Sequence, residues 1–248
     1  MKFEELKICG LAAVRARFAR DAGSIQRLYF DYETGRKVGL MCKALAATKR
    51  VYRCVEGPEL EKIAGTIHHG GIVAVVPAPV LATPSPEDIR RWAEHRTPVL
   101  LLERIGNAHN LGAIARTAGF FGVTHLVLPR APDAAVPTDA AFRVAEGGLE
   151  AVEVHQVAQL PAFARQLGAA GYDVVGAATR GGRAAIGSHG GKPTALVLGN
   201  EERGLSPEME KACTRLVTIP ARGPVESLNV SVAAAVLIWE LFGRHPKA

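Results

Sequence analysis

The sequence predicts an α/β fold, with a parallel sheet in the second part of the chain and a smaller α/β domain before it. After residue 97, short and solidly apolar runs alternate with helical segments, which is typical of a parallel sheet covered by helices on both faces. Prolines crowd residues 77–86, between two halves of different charge, which indicates a linker. The length of 248 residues has room for one large domain or two modest ones.

The first part of the chain reads as alternating strands and helices. Apolar runs predict strands over residues 25–30, 51–55 and 71–76, and helical patterning predicts helices over residues 11–20 and 58–64.

A connecting helix begins inside the linker. Ser85 is suited to cap it, Pro86 suits its first turn, and the acids Glu87 and Asp88 lie near the positive end of the helix dipole. We therefore expect a small domain over residues 1–77, a linker and connecting helix over residues 78–96, and a second domain over residues 97–248.

The second part shows the alternation more clearly. Buried strands are predicted over residues 98–102, 125–128, 152–155, 172–177, 195–198 and 216–219. Helices are predicted over residues 111–121, 138–146, 160–167, 206–212 and 228–242.

Composition excludes several classes of protein. With 48% hydrophobic and 22% charged residues the chain is an ordinary globular one, not a disordered one. No long apolar run predicts a membrane span, and the acids near the N-terminus argue against a signal peptide, so we expect a cytoplasmic location. Four scattered cysteines predict buried reduced thiols, and no histidine has ligand spacing along the chain, so no metal is expected.

The net charge of +6 is concentrated in the first part of the chain. Residues 1–96 carry 16 Lys and Arg against 11 Asp and Glu (+5), whereas residues 97–248 carry 14 against 13 (+1). Residues 36–53 hold six basic residues and no acid. This stretch is either part of a polyanion-binding surface or a solvated helix face.

Polar segments follow three of the predicted strands, at the sheet edge where ligands bind in open α/β folds. In the first segment Asn110 is predicted to cap a helix that carries Arg116, with small neighbours that let another group approach. In the second, Gly199 and Gly204 bracket a loop suited to present backbone groups. In the third, Ser227 and Asn229 precede a small-residue helix. Capping and surface charge are the alternative explanations of these polar residues.

Two common nucleotide motifs are missing from the sequence. No P-loop is present, and no G-x-G-x-x-G follows a strand, which argues against a Rossmann-type oxidoreductase.

The three segments resemble the signature motifs of the SpoU/TrmH family of RNA 2′-O-ribose methyltransferases, within the SPOUT superfamily. The motifs read N-L-G-A-I-A-R-T-A at residues 110–118, L-G-N-E-E-R-G-L at residues 198–205, and I-P…S-L-N-V-S-V-A at residues 219–233. Residues 6–76 resemble the small substrate-binding domain that many members carry. The family's His-Gln-Gly there reads His68-His69-Gly70.

The resemblance implies a trefoil-knotted C-terminal domain, bound S-adenosylmethionine (AdoMet), an RNA substrate (rRNA or tRNA) and a homodimer formed through that domain. The residues implied to hold the cofactor are Ala177, Ala178, Thr179, Leu198, Gly199, Ile219, Ser227 and Leu228. The last helix, over residues 228–242, carries more apolar surface than one amphipathic face needs. On its own this pattern favours simple burial within its domain, and it is the resemblance that assigns the helix to the dimer interface.

The resemblance also implies that Arg116 is catalytic. The residues expected around it are Asn110, Glu201, Ser227 and Asn229. The pKa of an arginine, above about 12, conflicts with a role as general base. We therefore expect Arg116 to grip a phosphate and polarise the 2′-hydroxyl, and Glu201 to orient Arg116 or Asn229; the proton acceptor is left open.

The function predicted from the motifs is AdoMet-dependent transfer of a methyl group to a ribose 2′-hydroxyl of rRNA or tRNA. The alternative is a non-catalytic RNA-binding protein that keeps the methyltransferase fold. The intact polar residues of all three motifs favour the enzyme.

Overall fold

A computed structural model describes residues 4–179, 181–184 and 191–243. The first three residues of the N-terminal segment, which contribute to the argument against a signal peptide, lie outside the described residues. Within the described ranges no helix is long and apolar enough to cross a bilayer.

The first part of the chain forms a four-stranded mixed sheet. Its elements are β1 (Glu5–Cys9), α1 (Leu11–Asp21), β2 (Arg27–Phe30), α2 (Tyr32–Gly35), α3 (Gly39–Ala47), β3 (Val51–Cys54), α4 (Gly57–Ala64) and β4 (Ile72–Pro77). The strand order is β1-β4-β2-β3, and only β2 and β3 run parallel. The three predicted strands are confirmed, whereas β1 and the helices α2 and α3 are additions.

The second part forms a seven-stranded sheet after the connecting helix. Its elements are α5 (Pro86–Glu94), β5 (Val99–Leu102), α6 (Ala108–Phe120), β6 (His125–Pro129), α7 (Asp139–Ala145), α8 (Gly148–Ala151), β7 (Glu153–Val157), α9 (Leu160–Ala169), β8 (Asp173–Ala177), β9 (Arg183–Ala184), β10 (Thr194–Leu198), α10 (Pro207–Ala212), β11 (Arg215–Thr218) and α11 (Val230–Ile238), which a π-helical turn extends over Trp239–Gly243. The order is β7-β6-β5-β10-β8-β11-β9, and every pairing is parallel.

This sheet is buried on both faces, as the apolar runs predict. Alternate residues of β5 enter different cores: Leu100 and Leu102 belong to one apolar cluster, Val99 and Leu101 to the other. All six predicted strands are found, so the expectation of an α/β fold with a parallel sheet is confirmed. The seventh strand, β9, is only two residues long and carries no apolar run that could have predicted it.

The two sheets share a common core. Residues of both parts of the chain, such as Ile8 and Ala145, belong to one buried cluster. The side chain of Glu150 is 2% exposed, and its Oε1 accepts a hydrogen bond from Arg17 Nε on α1 at 2.9 Å. Burial raises the pKa of Glu150, while the two nearby arginines, Arg17 and Arg20, oppose that rise.

The connecting helix α5 begins as predicted. The Ser85 hydroxyl accepts a hydrogen bond from the Asp88 backbone, and the Asp88 carboxylate accepts one from the Ser85 backbone, which completes a capping box.

The prediction of four buried thiols is correct for Cys9 and wrong for Cys54, while Cys42 and Cys213 are partly buried. All four cysteines are free, but Cys54 is exposed because it lies on the edge strand β3, whose residues all face solvent. Cys9 is buried, and burial raises its pKa to about 11.

Candidate functional site

The loops after β8, β10 and β11 line one cavity of about 360 Å³ at the carboxyl end of the parallel sheet. This is where ligands bind in open α/β folds, and the volume lies within the usual range of small-molecule sites. The cavity is lined by all the residues that the motifs predict for a cofactor, namely Ala177, Ala178, Thr179, Leu198, Gly199, Ile219, Ser227 and Leu228.

The loop after β10 folds back tightly at the cavity wall. Asn200 and Gly204 exchange two backbone hydrogen bonds, of 3.2 and 2.9 Å, and Gly204 has a φ of 61°. A Cβ on Gly199 would lie 2.5 Å from the carbonyl carbon of Gly204, so position 199 admits no side chain.

The Glu201 carboxylate joins the three polar segments. Its Oε1 accepts hydrogen bonds from Asn110 Nδ2 at 2.9 Å, from Asn229 Nδ2 at 2.6 Å and from the Val230 backbone at 3.2 Å. Asn229 Nδ2 also lies 3.2 Å from Asn110 Oδ1. The carboxylate therefore sits at the N-terminus of α11, where the helix dipole favours a negative charge.

The prediction that Asn110 caps α6 is wrong. Asn107 is the cap, because its Oδ1 accepts a hydrogen bond from the His109 backbone at 2.8 Å. Asn110 lies in the first turn of the helix, and its side chain is directed to Glu201 instead. Asn229 does cap its helix, through hydrogen bonds from the Ser231 backbone and hydroxyl to Asn229 Oδ1. Asn229 thus combines a capping oxygen with a site-facing amide.

Arg116 stands apart from this cluster in the single chain. Its Nη2 lies 2.8 Å from Glu146 Oε2, both side chains are more than half exposed, and Arg116 is not among the residues that line the cavity. Of the two residues that Glu201 is expected to orient, Asn229 is in contact with it, whereas Arg116 pairs with Glu146.

The small residues around Arg116 serve helix packing. A Cβ on Gly148 would lie 2.5 Å from the Cα of Arg116, so α8 approaches α6 closely there. The predicted close approach is therefore made by a neighbouring helix of the same chain.

Two supporting residues escaped the sequence analysis. Glu103 follows β5 and is 7% exposed; its carboxylate accepts hydrogen bonds from the Ser206 backbone at 2.8 Å and the Ser206 hydroxyl at 2.6 Å. Asn200 Nδ2 donates to the carbonyl of Arg104 at 3.1 Å. Both tie the loop after β10 to the end of β5. In the sequence, Glu103 could have been singled out as an acidic residue that directly follows the solid apolar run of β5.

The cavity suits a cofactor that has an apolar ring and polar substituents. Its floor is formed by buried apolar side chains, including Val217 and Leu237, whereas Glu201 and Ser227 supply polar groups. Val225 and Leu228 line the same cavity although each is about half exposed or more, so a bound molecule would cover apolar surface that the chain itself leaves open.

Comparisons with known proteins agree with this site. The SpoU rRNA Methylase family matches residues 97–239, and the RNA 2′-O ribose methyltransferase substrate-binding family matches residues 7–80. Together with the fold, these matches define an RNA 2′-O-ribose methyltransferase. The chain belongs to the SpoU rRNA methylase family.

Its relatives include two proteins named 23S rRNA (guanosine-2′-O-)-methyltransferase RlmB. The one from Nitrosomonas europaea is 33% identical over 96% of this chain and 91% of its own length. The one from Ralstonia nicotianae is 33% identical over 94% of this chain and 93% of its own length. The crystal structure of an rRNA methyltransferase from Sinorhizobium meliloti, 24% identical, shares the fold with a TM-score of 0.78 and covers 98% of this chain and 88% of its own.

The enzyme prediction is confirmed. This chain transfers the methyl group of AdoMet to a ribose 2′-hydroxyl of RNA, as the three motifs indicate.

Replacing Gly199 with Ala should weaken AdoMet binding at least about tenfold, because the added methyl group meets the Gly204 backbone at 2.5 Å. Calorimetric titration of the full chain measures this. Gly168→Ala is the matched control, since a Cβ there meets its nearest neighbour, Val174 Cγ2, only at 4.0 Å, and it should bind AdoMet as the wild type does. If Gly199→Ala and Gly168→Ala bind AdoMet with equal affinity, the close contact between position 199 and the Gly204 backbone does not matter for binding, and the prediction is wrong.

Proposed function

We propose that this enzyme methylates the ribose 2′-hydroxyl of a guanosine in 23S rRNA. The observation that carries the site assignment is the Glu201 carboxylate, which joins Asn110 and Asn229 beside the cavity. The substrate assignment is supported by relatives that carry this activity in their names and match nearly the whole chain. A ribosomal RNA substrate agrees with the expected cytoplasmic location.

The cavity residues hold the cofactor in this proposal. Backbone groups of Leu198, Ile219 and Leu228 would contact AdoMet, the loop of Ala177, Ala178 and Thr179 would cover its adenosine, and Ser227 lies on the rim. Bound AdoMet supplies a methyl group on a sulfonium, which an incoming hydroxyl attacks in line. Much of the catalysis is then the holding of the 2′-hydroxyl about 3 Å from that carbon.

Glu201 acts by positioning. Its Oε1 already accepts three hydrogen bonds, so it fixes the amides of Asn110 and Asn229 in place, where they can hold the ribose.

Arg116 is assigned to the RNA backbone. It lies six residues beyond Asn110 on α6, about 9 Å along the helix axis and about a third of a turn around it, and its exposed guanidinium is suited to bind a phosphate of the RNA. Arginine binds phosphate through paired donors, and this contact would replace the exposed ion pair with Glu146.

We assign residues 1–77 to substrate binding, residues 78–96 to the connection and residues 97–248 to methyl transfer. The trefoil knot belongs to the last of these. Support for the knot comes from the insertion of β10 between β5 and β8 and from the convergence of three loops on one cavity.

A homodimer through the C-terminal domain is supported by an exposed apolar stripe on α11 and the turn that follows it. Val232, Val236 and Trp239 lie on one helix face and are each between 42% and 49% exposed, and Phe120 of α6 is 82% exposed. Phe121 packs against Trp239, with ring centroids 5.7 Å apart, so α6 and the end of α11 present one surface. Such a stripe on a helix is typical of an interface.

RNA affinity is assigned to the basic stretch of the first part. Lys43, Lys49 and Arg53 are exposed. Tyr52 lies next to Arg53 on β3 and Tyr32 lies on α2 just before the basic stretch, and both exposed rings could stack on unpaired bases. Arg50 is different, because its Nη1 donates to the backbone carbonyls of Gly23 and Ile25.

Purified enzyme with labelled AdoMet should methylate 23S rRNA and leave tRNA unlabelled, because the relatives that match the whole chain carry that specificity in their names. Mapping of ribose methylation should find the label on one guanosine. Preferential labelling of tRNA would contradict the substrate assignment while leaving the enzyme class intact.

Arg116→Ala should lower methyl transfer at least about a hundredfold, since orientation of the reacting groups supplies a large share of the rate. AdoMet affinity should stay within a few-fold, because Arg116 does not line the cavity. Glu146→Gln is the control: it removes the ion-pair partner, keeps Arg116 and should keep activity. Wild-type turnover of Arg116→Ala would exclude Arg116 from the mechanism.

Val236→Glu should convert the dimer to a monomer, because it places a charge in the apolar stripe without touching the core. Light scattering should give about twice the 26.3 kDa chain mass for the wild type and the chain mass for the variant. Val80→Glu, at a 96% exposed linker position, should remain dimeric. A wild type that scatters as one chain would contradict the dimer.

Replacing Lys43, Lys49 and Arg53 with Gln, Asn and Gln should weaken RNA binding and flatten its salt dependence. Each lost phosphate contact lowers the logarithmic slope by about 0.7 to 0.9. Arg50 is spared because it holds local backbone carbonyls. The control neutralises three cations of the second part, Arg165, Lys192 and Lys211, and should keep the wild-type slope. If both triple variants behave alike, the basic stretch is only a solvated surface.

A further inference from the structure

We propose that His125, Glu153 and His155 form a binding site for a divalent transition-metal ion of the zinc type, at the end of the parallel sheet opposite the cofactor cavity. His125 opens β6 and Glu153 opens β7, whereas the cofactor cavity lies beyond the carboxyl ends of β8, β10 and β11. The site is therefore separate from the methyl-transfer machinery.

Strand register brings the three side chains together. In the parallel pairing of β6 with β7, His125 lies opposite Glu153, and His155 follows Glu153 by two residues. Residues two apart on a strand share one face, so all three project from the same side of the sheet edge. Trp92 of α5 covers this face, stacked on the His125 ring with centroids 4.3 Å apart.

The distances between the ligand atoms suit one small cation. His125 Nδ1 lies 3.3 Å from His155 Nε2, and Glu153 Oε2 lies 3.8 Å from each of these nitrogens. Metal–nitrogen bonds of about 2.0–2.1 Å at a tetrahedral angle separate two ligand atoms by about 3.3 Å. The Glu153 side chain is 60% exposed, so its carboxylate is free to move the remaining few tenths of an ångström.

The protonation of the histidines also suits a metal. Both imidazoles are largely buried, with side chains 11% and 12% exposed. Burial lowers the pKa of His155 and lowers that of His125 to about 4, although Glu153 opposes both shifts. Asp88 and Arg91 of α5 also face His125, with opposing effects on its pKa. Burial of both rings therefore favours the neutral imidazole, which is the form that coordinates metal.

The ligand set selects the class of ion. Two imidazoles and one carboxylate favour Zn²⁺ and its neighbours Co²⁺, Ni²⁺ and Cu²⁺, whereas Mg²⁺ and Ca²⁺ prefer oxygen ligands alone. Three protein ligands leave a fourth position open. Glu153 and His155 line a cleft of about 350 Å³, shared with Arg17 and the linker residues Pro79–Ala82.

The site lies where the linker meets the second sheet. The Gln156 backbone donates to the Ala82 carbonyl at 3.0 Å, and the Thr83 hydroxyl donates to the Gln156 carbonyl at 2.7 Å. An ion bound there would stabilise the edge of the sheet against which the linker and α5 pack. This cluster revises the expectation that no histidine has a ligand arrangement.

A hydrogen bond between two neutral imidazoles is the competing explanation of the 3.3 Å contact. It requires no metal, and it predicts that the protein binds Co²⁺ no better than a protein with scattered surface histidines.

The test is a titration of the chelator-treated full chain with Co²⁺, in which binding is measured by the visible absorption of the bound ion. The background carries Cys54→Ser, because that thiol is exposed and could bind metal by itself. We expect one ion per chain, displaced by Zn²⁺. His155→Gln and Glu153→Gln should each lower the affinity at least about tenfold, the scale on which even the supporting shell of a metal site acts.

His68→Gln removes an exposed histidine that belongs neither to the cluster nor to the cleft beside it, and it should leave Co²⁺ binding unchanged. Unaltered AdoMet binding of a variant shows that this variant is folded. If His155→Gln does not fold, the Co²⁺ affinity of Glu153→Gln alone tests the metal site. The proposal is overturned if the wild type takes up no stoichiometric Co²⁺, or if Glu153→Gln binds it as tightly as the wild type does.

Discussion

A single carboxylate oxygen, Glu201 Oε1, holds the functional site together. Its three donors come from Asn110 on α6 and from the consecutive residues Asn229 and Val230 at the start of α11, more than a hundred positions further along the chain. The positive end of the α11 dipole adds to its stabilisation. Without this acceptor, the amides of Asn110 and Asn229 would lose their shared partner, and the direct contact between Asn229 Nδ2 and Asn110 Oδ1 at 3.2 Å would remain.

The parallel sheet gives that carboxylate its place. Because every strand of the second sheet runs the same way, the loops that leave β8, β10 and β11 emerge at one edge. The missing side chain at Gly199 lets the next loop fold back on its own strand, and buried Glu103 ties the same loop to β5 through Ser206. Glu201 is thus carried on a loop held at both ends.

The elements that depend on solid apolar runs were predictable from the sequence, whereas the residues expected to hold the cofactor, which line the cavity, came from the resemblance to the SpoU/TrmH motifs. Features that depend on register or on neighbours were not. Asn107 and Asn110 both precede the apolar part of α6, and only the structure distinguishes the cap from the site residue. Likewise His125 and His155 are thirty positions apart, and only the pairing of β6 with β7 makes them neighbours. Cys54 is exposed because β3 is an edge strand, which composition does not reveal.

The buried contact between Glu150 and Arg17 has a consequence for how the enzyme selects its target. It lies between α8 of the methyl-transfer part and α1 of the front part, and it is surrounded by a core that both parts share. The front sheet is therefore packed against the methyl-transfer part and is not joined to it by a flexible linker alone. The distance between the exposed cations of the front part and the cofactor cavity is therefore set by the fold. If those cations bind the RNA backbone as proposed, a target must present its backbone and its ribose at that distance, and the fold then selects RNA by its shape.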